Sequence, residues 1–276
     1  MQNCICSAST DSIGIKFSTQ TYSNVVTPLS EQHSSKESHI NDMRSQPRVI
    51  SKSQPVRILI ANAKGGCGKT TIATNIASRY ASSNLNTCLL DFDPQGSCMQ
   101  WLRVRQSDQP EIHGVAAYQK TPGQVTRTWQ LRSLPINTNR IIIDTPSGIN
   151  GPLLNDLIRE ADLILVPVTP SPIDIRATTQ FIKDVLLSPA FRSKPKHIGA
   201  VANRVKRNTL VYAKLKLFLN SLKIPFIATL RDTQFYIRAS EYGVGIHDLK
   251  NRQKSDEREW SPLMQWLEDH IPDQSG

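Results

Sequence analysis

The sequence lacks a run of apolar residues long enough to cross a membrane as a helix. Its longest strongly apolar stretch, Leu163–Val168, is far shorter than the roughly 20 residues that a bilayer requires. The 5 cysteines include no Cys-x-x-Cys pair and the 6 histidines no His-x-x-x-His spacing, so neither a disulfide framework nor a histidine metal site is expected. The basic and apolar segments of a secretory signal are also missing from the first residues. These absences predict a protein of the reducing cytoplasm.

One segment is nearly devoid of acidic residues. Between Arg192 and Arg238 the chain has eleven basic residues and one acid, Asp232, whereas the rest of the chain is neutral. A net charge of +10 that is confined to one segment predicts a face that binds a polyanion, either nucleic acid or an anionic membrane. A solvated surface that happens to be basic explains the charge equally well. Charge alone leaves both interpretations open.

The chain divides into two parts by composition. Residues 1–54 are rich in Ser, Thr, Gln and Asn, which predicts a disordered tail, and Met43 within it is an alternative start. In residues 55–276 apolar strands alternate with helices, which predicts one α/β domain with a doubly wound, mostly parallel sheet and helices on both faces. The predicted strands are Val56–Ala61, Thr87–Asp91, Arg140–Asp144, Asp162–Val168, His197–Ala202 and Pro225–Leu230. The main predicted helices are Lys69–Ala81, Pro172–Leu187, Thr209–Leu222 and Ser255–Ile271.

The predicted C-terminal helix is amphipathic. Its acidic face would be repelled by an anionic membrane, so the helix is expected to pack on the sheet. The apolar face consists of Trp260, Leu263, Met264, Leu267 and Ile271.

The strongest motif is Lys64–Thr71, which reads Lys-Gly-Gly-Cys-Gly-Lys-Thr-Thr and lies between a predicted strand and a predicted helix. Its glycines allow consecutive backbone N–H groups to turn towards a phosphate, and the following helix adds its positive N-terminal end. Lys69 is expected to contact the β- and γ-phosphates, and the Thr70 hydroxyl to ligate Mg²⁺. Ala63 stands where the general phosphate-loop pattern has glycine, and a second lysine, Lys64, opens the loop. The motif predicts a P-loop NTPase.

Three motifs in this order resemble the ParA/MinD family of P-loop ATPases. Lys64–Thr71 resembles the family's deviant Walker A loop, Leu90–Ser97 its Asp-x-Asp-Pro-Gln segment, and Ile141–Ser147 its Walker B strand. The resemblance covers roughly residues 56–249, and with no helix-turn-helix domain before Val56 it points to the short ParA branch. It implies a Mg²⁺-dependent ATPase that forms a homodimer when it binds ATP.

The resemblance also implies roles for individual residues. Asp144 and Asp91 would hold Mg²⁺ through water, and Asp93 would orient the attacking water. Lys64 would reach the phosphates of the partner subunit, and Asn203 would contact adenine, although a turn-forming asparagine fits that position nearly as well. The implied catalytic residues are Lys64, Lys69 and Asp93. The implied ATP-binding residues are Gly65, Gly66, Cys67, Gly68, Lys69, Thr70, Thr71, Asp91, Asp144 and Asn203.

For the basic segment the resemblance implies contacts with DNA phosphates that are independent of base sequence. The segment Thr169–Arg176 resembles a switch-like loop of the family, although it also fits a rigid connection between a strand and a helix. The expected DNA-binding residues are Lys206, Arg207, Lys214, Arg231 and Arg238.

The leading hypothesis is an ATPase that positions or segregates a cargo such as a carboxysome, a plasmid or a chromosome. Its dimer would bind nucleoid DNA, and a ParB-like protein or another cargo adaptor would stimulate hydrolysis, with no role for a membrane. One alternative is a MinD-like membrane switch, which needs a basic C-terminal helix. Another is an amidoligase of the dethiobiotin-synthetase type, in which Lys64 has no evident role. A metal-cluster electron donor would need a second cysteine near Cys98.

Overall fold

The structure is a computed structural model, and it describes residues 54–119, 130–131, 134–206, 210–221 and 224–272. The predicted tail, apart from Gln54, and Met43 lie outside these ranges. The strands are β1 (Val56–Ile60), β2 (Thr87–Asp91), β3 (Ile112–Ala116), β4 (Arg140–Asp144), β5 (Leu163–Val168), β6 (His197–Val205) and β7 (Phe226–Arg231). The helices are α1 (Lys69–Ser82), α2 (Ser97–Val104), α3 (Gly151–Glu160), α4 (Pro172–Leu187), α5 (Pro189–Arg192), α6 (Leu210–Ser221), α7 (Phe235–Glu241) and α8 (Lys254–Asp269). A 3₁₀ turn, Ile246–Asp248, lies between α7 and α8.

The described strands form one parallel sheet in the order β3-β2-β4-β1-β5-β6-β7. The chain therefore winds outwards from β1 in both directions, which confirms the predicted doubly wound α/β sheet. In such sheets ligands bind beyond the carboxyl ends of the strands, where the strand order reverses. The register aligns Asp144 at the end of β4 with Asp91 at the end of β2 and with Ile60 at the end of β1. Two acidic side chains are thereby brought to one point of this edge.

Both faces of the sheet are covered, which explains why its strands are almost continuously apolar. In β4, Ile141 and Ile143 contribute to the core on one face, and Ile142 contributes to the core on the other. Helices α3, α4, α5 and α6 cover the first face, whereas α1, α2, α8 and the 3₁₀ turn cover the second. Since side chains alternate along a strand, consecutive isoleucines fill both cores.

The sequence missed β3 and three helices, α2, α3 and α7. β3 is an edge strand in which His113 and Gly114 are exposed, so it carries no apolar run to reveal it. The predicted strand His197–Ala202 continues to Val205, through a register irregularity between Ala202 and Val205 and a positive φ of 53° at Arg204. Polar residues near the end of β6 hid this extension.

Helix α8 packs on the sheet as predicted. Trp260, Leu263 and Leu267 are buried in the core that α8 shares with α1. The guanidinium of Arg231 joins β7 to α8, because its Nη2 lies 2.6 Å from Oδ1 of Asp256. No helix among the described residues combines the length and the apolarity needed to cross a membrane.

Replacing Leu263 with alanine tests this packing. Leu263→Ala should lower the free energy of unfolding by about 2–5 kcal/mol, because it leaves a cavity at a fully buried position. Ser261→Ala, at an exposed position of the same helix, should change it by no more than about 0.5 kcal/mol. Urea denaturation measures both values, and equal stabilities for the two variants would show that α8 does not pack on the sheet.

Candidate functional site

The loop between β1 and α1 is shaped by two glycines with left-handed backbone angles. Gly66 has φ of 73° and Gly68 has φ of 92°, values that side-chain-bearing residues adopt only with strain. A Cβ atom at Gly66 would meet open space, whereas a Cβ at Gly68 would collide with Nδ2 of Asn203. Gly68 is also the N-cap of α1 and supplies no side-chain cap. The positive end of α1 is therefore available to an anion.

The two lysines of the loop have different environments. Lys69 is buried, and its Nζ donates a hydrogen bond to the carbonyl oxygen of Lys64 at 3.1 Å. The side chain of Lys64 is 41% exposed, and its Nζ lies 3.4 Å from Oδ1 of Asp174 at the start of α4. Burial alone would raise the pKa of Asp174, but hydrogen bonds from Thr169 and Ser171, together with Lys64, lower it below the ordinary value. An ionised Asp174 thus holds Lys64 within its own subunit.

A buried asparagine, Asn62, fixes the start of the loop. Its Nδ2 donates to the carbonyl of Pro167 at 2.7 Å and to the hydroxyl of Thr178 at 2.9 Å. Its Oδ1 accepts a hydrogen bond from the backbone N–H of Lys64 at 3.1 Å. The sequence analysis missed Asn62, although a polar residue directly after an apolar strand is a signal of this kind.

Thr70 and Asp144 join the first turn of α1 to the end of β4. The Thr70 hydroxyl donates to Oδ2 of Asp144 at 2.6 Å, and the Cys98 thiol donates to the same oxygen at 3.3 Å. The other oxygen, Oδ1, is buried and has no hydrogen-bond partner. Burial raises the pKa of Asp144 to about 7, and the charge of Asp91 raises it further while the bond from Thr70 lowers it. A cation at this point would relieve the cost of burying the carboxylate.

This donor set fits Mg²⁺. A threonine hydroxyl, a buried carboxylate and an oxygen with no protein partner are hard ligands of the kind that Mg²⁺ takes beside phosphate oxygens. Asp91 has less capacity left, because it accepts hydrogen bonds from the backbone N–H groups of Asp93, Cys98 and Met99. Asp91 therefore also caps the start of α2.

Asp93 and Asn203 occupy less exposed positions than their expected roles suggest. Asp93 is half-buried, and its Oδ1 accepts a hydrogen bond from the backbone N–H of Gln95 at 3.0 Å. Asn203 lies inside β6 rather than after it, and its Nδ2 donates to the carbonyl of Cys67 at 2.9 Å. Asn203 thereby supports the loop from below. Beside it a cavity of about 360 Å³ is lined by Thr71, Asn203, Arg204, Asp232, Thr233 and Gln234.

The basic segment is divided between the two ends of the sheet. Arg192 and Lys196 precede β6 and Lys206 follows it, so the strand separates the two groups by roughly 30 Å. The segment therefore does not form one continuous face, which corrects the interpretation of its charge as a single surface. The expected DNA-binding residues belong to the group at the carboxyl end, near the phosphate loop.

These expected DNA-binding residues differ in their availability. Lys206, Lys214 on α6 and Arg238 on α7 are exposed, whereas Arg207 lies outside the described residues. Arg231 is largely buried, with its guanidinium paired with Asp256 and Glu259. Because these ion pairs occupy the guanidinium, this placement weighs against Arg231 as a phosphate contact.

Alanine at the loop glycines tests this geometry. Gly65→Ala, where the new Cβ meets Ser147 at an ordinary 3.5 Å, should change stability by no more than about 0.5 kcal/mol. Gly66→Ala should cost about 1–2 kcal/mol from backbone strain, and Gly68→Ala should cost more because Asn203 blocks the Cβ. Adding Asn203→Ala should recover part of the Gly68→Ala loss in thermal unfolding. Strictly additive effects of these two substitutions would contradict the contact.

Comparisons with known proteins agree with this geometry. The family model described as "CobQ/CobB/MinD/ParA nucleotide binding domain" matches residues 58–246. The chain is 29% identical over 208 residues to the "Maintenance of carboxysome distribution protein A" of Halothiobacillus neapolitanus, which covers 75% of this chain and 93% of that protein.

Two solved structures share the fold. The MinD cell division protein of Aquifex aeolicus aligns with a TM-score of 0.60 and 18% identity over 79% of this chain and 99% of its own. McdA of Cyanothece has been solved as an apo form and as a complex with ATP, with TM-scores of 0.62 and 0.56 and 16% identity in both. These alignments cover 78% and 77% of this chain, and 100% and 97% of the McdA chains.

The family model spans more than half of the chain and includes the phosphate loop and both carboxylate-bearing strand ends. The ParA/MinD resemblance of the three motifs is thereby confirmed. The chain belongs to the CobQ/CobB/MinD/ParA family of nucleotide-binding domains.

Proposed function

We propose that the chain is a Mg²⁺-dependent ATPase whose ATP-bound homodimer binds DNA and positions or segregates an intracellular cargo. The observation that carries the catalytic part is the contact between Thr70, which follows the loop lysine Lys69, and the buried carboxylate of Asp144. The McdA relative from Cyanothece binds ATP in its solved complex, which supports ATP as the nucleotide here.

Each residue of the site has a chemical task in this proposal. The glycine loop and the N-terminus of α1 would bind the β-phosphate, and Lys69 would neutralise charge on the β- and γ-phosphates. Mg²⁺ held by Thr70 and, through water, by Asp144 would supply charge neutralisation at the phosphates. Asp93 would orient the attacking water. Phosphoryl transfer needs this positioning and neutralisation more than covalent chemistry.

Lys64 would couple ATP binding to dimerisation. Its partly exposed ammonium group is held by Asp174 at 3.4 Å, at the start of the helix that follows the segment resembling a switch-like loop. An exposed ion pair of this kind contributes little stability, so exchange of the carboxylate for a partner subunit's phosphates costs little. Lys64 would then act across the dimer interface.

The basic group at the carboxyl end of the sheet would bind DNA phosphates. Lys206, Lys214 and Arg238 are exposed there, and dimerisation would double the surface that they form. We keep Arg207 as part of this surface by the family resemblance and leave Arg231 out because of its ion pairs. Binding through phosphates predicts affinity that is independent of sequence and sensitive to salt.

The cargo hypothesis draws on the relatives. The Halothiobacillus protein is named for the maintenance of carboxysome distribution, so a carboxysome is the cargo that we favour over a plasmid or chromosome. A cargo-bound adaptor, ParB-like or otherwise, would stimulate hydrolysis on the nucleoid in the cytoplasm. The membrane-switch alternative loses support because the apolar face of α8 is buried against the sheet.

The two lysines should separate nucleotide binding from dimerisation. Lys69→Ala should weaken binding of a fluorescent ATP analogue at least tenfold, because it removes a buried charge that binds phosphate. Lys64→Ala should bind the analogue within about threefold of the wild type. It should nevertheless remain a monomer by light scattering with ATP, since the lysine that reaches the partner is missing.

Lys183→Ala is the matched control for both lysine variants, because Lys183 is an exposed lysine of α4. It should bind nucleotide and dimerise like the wild type. An ATP-dependent dimer of Lys64→Ala would overturn the role of Lys64 without touching the role of Lys69.

DNA binding should depend on ATP and on one end of the sheet. Fluorescence anisotropy across a salt series should show tighter binding with ATP than with ADP. Lys214→Ala and Arg238→Ala should each lower the salt slope by about 0.9, because each variant neutralises one DNA phosphate fewer. Arg192→Ala, in the same basic segment but at the opposite end of the sheet, should leave the slope unchanged. Binding that ignores salt and nucleotide, or an equal effect of Arg192→Ala, would contradict the proposed face.

A further inference from the structure

Cys98 contributes a thiol to the carboxylate centre, and the proposed hydrolysis does not use it. The residue lies in the first turn of α2 and is fully buried. Its Sγ lies 3.3 Å from Oδ2 of Asp144, and its backbone N–H donates to Asp91. An alanine would occupy this position beneath the loop without placing a sulfur atom beside the carboxylates.

The three side chains have the spacing of a metal-ligand set. Asp91, Cys98 and Asp144 each offer a ligand atom, and these atoms lie within 4.8 Å of one another. In a tetrahedral zinc site, with bonds of about 2.3 Å to sulfur and 2.0–2.2 Å to oxygen, the sulfur and oxygen atoms stand about 3.5 Å apart. The observed 3.3 Å between Cys98 Sγ and Asp144 Oδ2 is close to that separation.

An independent observation points to a ligand at the same place. Oδ1 of Asp144 is buried with no hydrogen-bond partner, on a side chain with no solvent exposure. Buried carboxylate oxygens are normally paired, and a bound cation is one of the few groups that can satisfy them. The thiol already lies against this carboxylate, so a cation that binds Asp144 on this side also meets sulfur.

We infer that Asp91, Cys98 and Asp144 form a site for a thiophilic divalent cation of the Zn²⁺ and Cd²⁺ class. Sulfur selects these ions over Mg²⁺, which prefers oxygen ligands. When the metal–sulfur bond forms, the thiol proton passes to the buffer, and the Thr70 hydroxyl is close enough to Asp144 to serve as a fourth ligand. Since Asp144 also serves Mg²⁺ in the proposed ATPase, the two cations compete. The inference itself needs neither nucleotide nor hydrolysis.

Titration of the nucleotide-free, full-length protein with Cd²⁺ tests the site. The ultraviolet charge-transfer band of a cadmium–thiolate bond reports binding through sulfur directly. Cys98→Ala should lose one thiolate's share of this band and bind Cd²⁺ at least tenfold more weakly than the wild type. Cys88→Ala removes another buried thiol, which lies against Thr138, and should leave the affinity unchanged.

Two further variants keep the outcome decisive. Cys98→Ser retains a donor to Asp144 and should fold with the metal-free thermal stability of the wild type while losing the tight Cd²⁺ site. Asp144→Asn should weaken Cd²⁺ binding although Cys98 is intact. The inference is overturned if Cys98→Ser or Cys98→Ala binds Cd²⁺ with the wild-type affinity and band. Failure of ATP binding in the Lys69→Ala comparison would leave this result unaffected.

Discussion

The hydrogen bond of 2.6 Å between Thr70 and Asp144 is the contact on which the site depends. It joins the first turn of α1 to the end of β4, and thus connects the phosphate loop with the strand that carries the buried carboxylate. Parallel pairing places Asp91 beside Asp144, so a negative centre forms directly under the positive helix end. A phosphate above and a divalent cation between them satisfy both charges, which explains why one loop and two strand ends make a nucleotide site.

The supports of this contact are themselves polar and buried. Asn62 holds the first residue of the loop and Asn203 holds the carbonyl of Cys67, so the loop is fixed from two sides before any ligand binds. Lys64 is the exception, because its ammonium group reaches outwards to Asp174. The rigid part of the loop suits phosphate binding, and the outward lysine suits a contact that changes with nucleotide state.

Much of this arrangement could be predicted from the sequence, for reasons that are local. Lys64–Thr71 and the strand ends at Asp91 and Asp144 are short patterns whose residue types follow from phosphate and metal chemistry, and the apolar strands follow from burial on both faces. The roles of Asn62 and Asp174 were missed because their partners lie far away in the chain. The division of the basic segment was missed because sequence position does not reveal that β6 separates its members by its full length.

The most direct test of the central claim is a crystal structure of the chain with Mg²⁺ and a non-hydrolysable ATP analogue. The account predicts a β-phosphate within the Gly65–Gly68 loop and Mg²⁺ on the Thr70 hydroxyl, with Asp144 turned from Thr70 towards the water shell of the metal. It also predicts that Lys64 leaves Asp174 and contacts the phosphates bound by a second subunit. A nucleotide bound outside the loop, or a Thr70–Asp144 contact that persists with no metal between them, would contradict it.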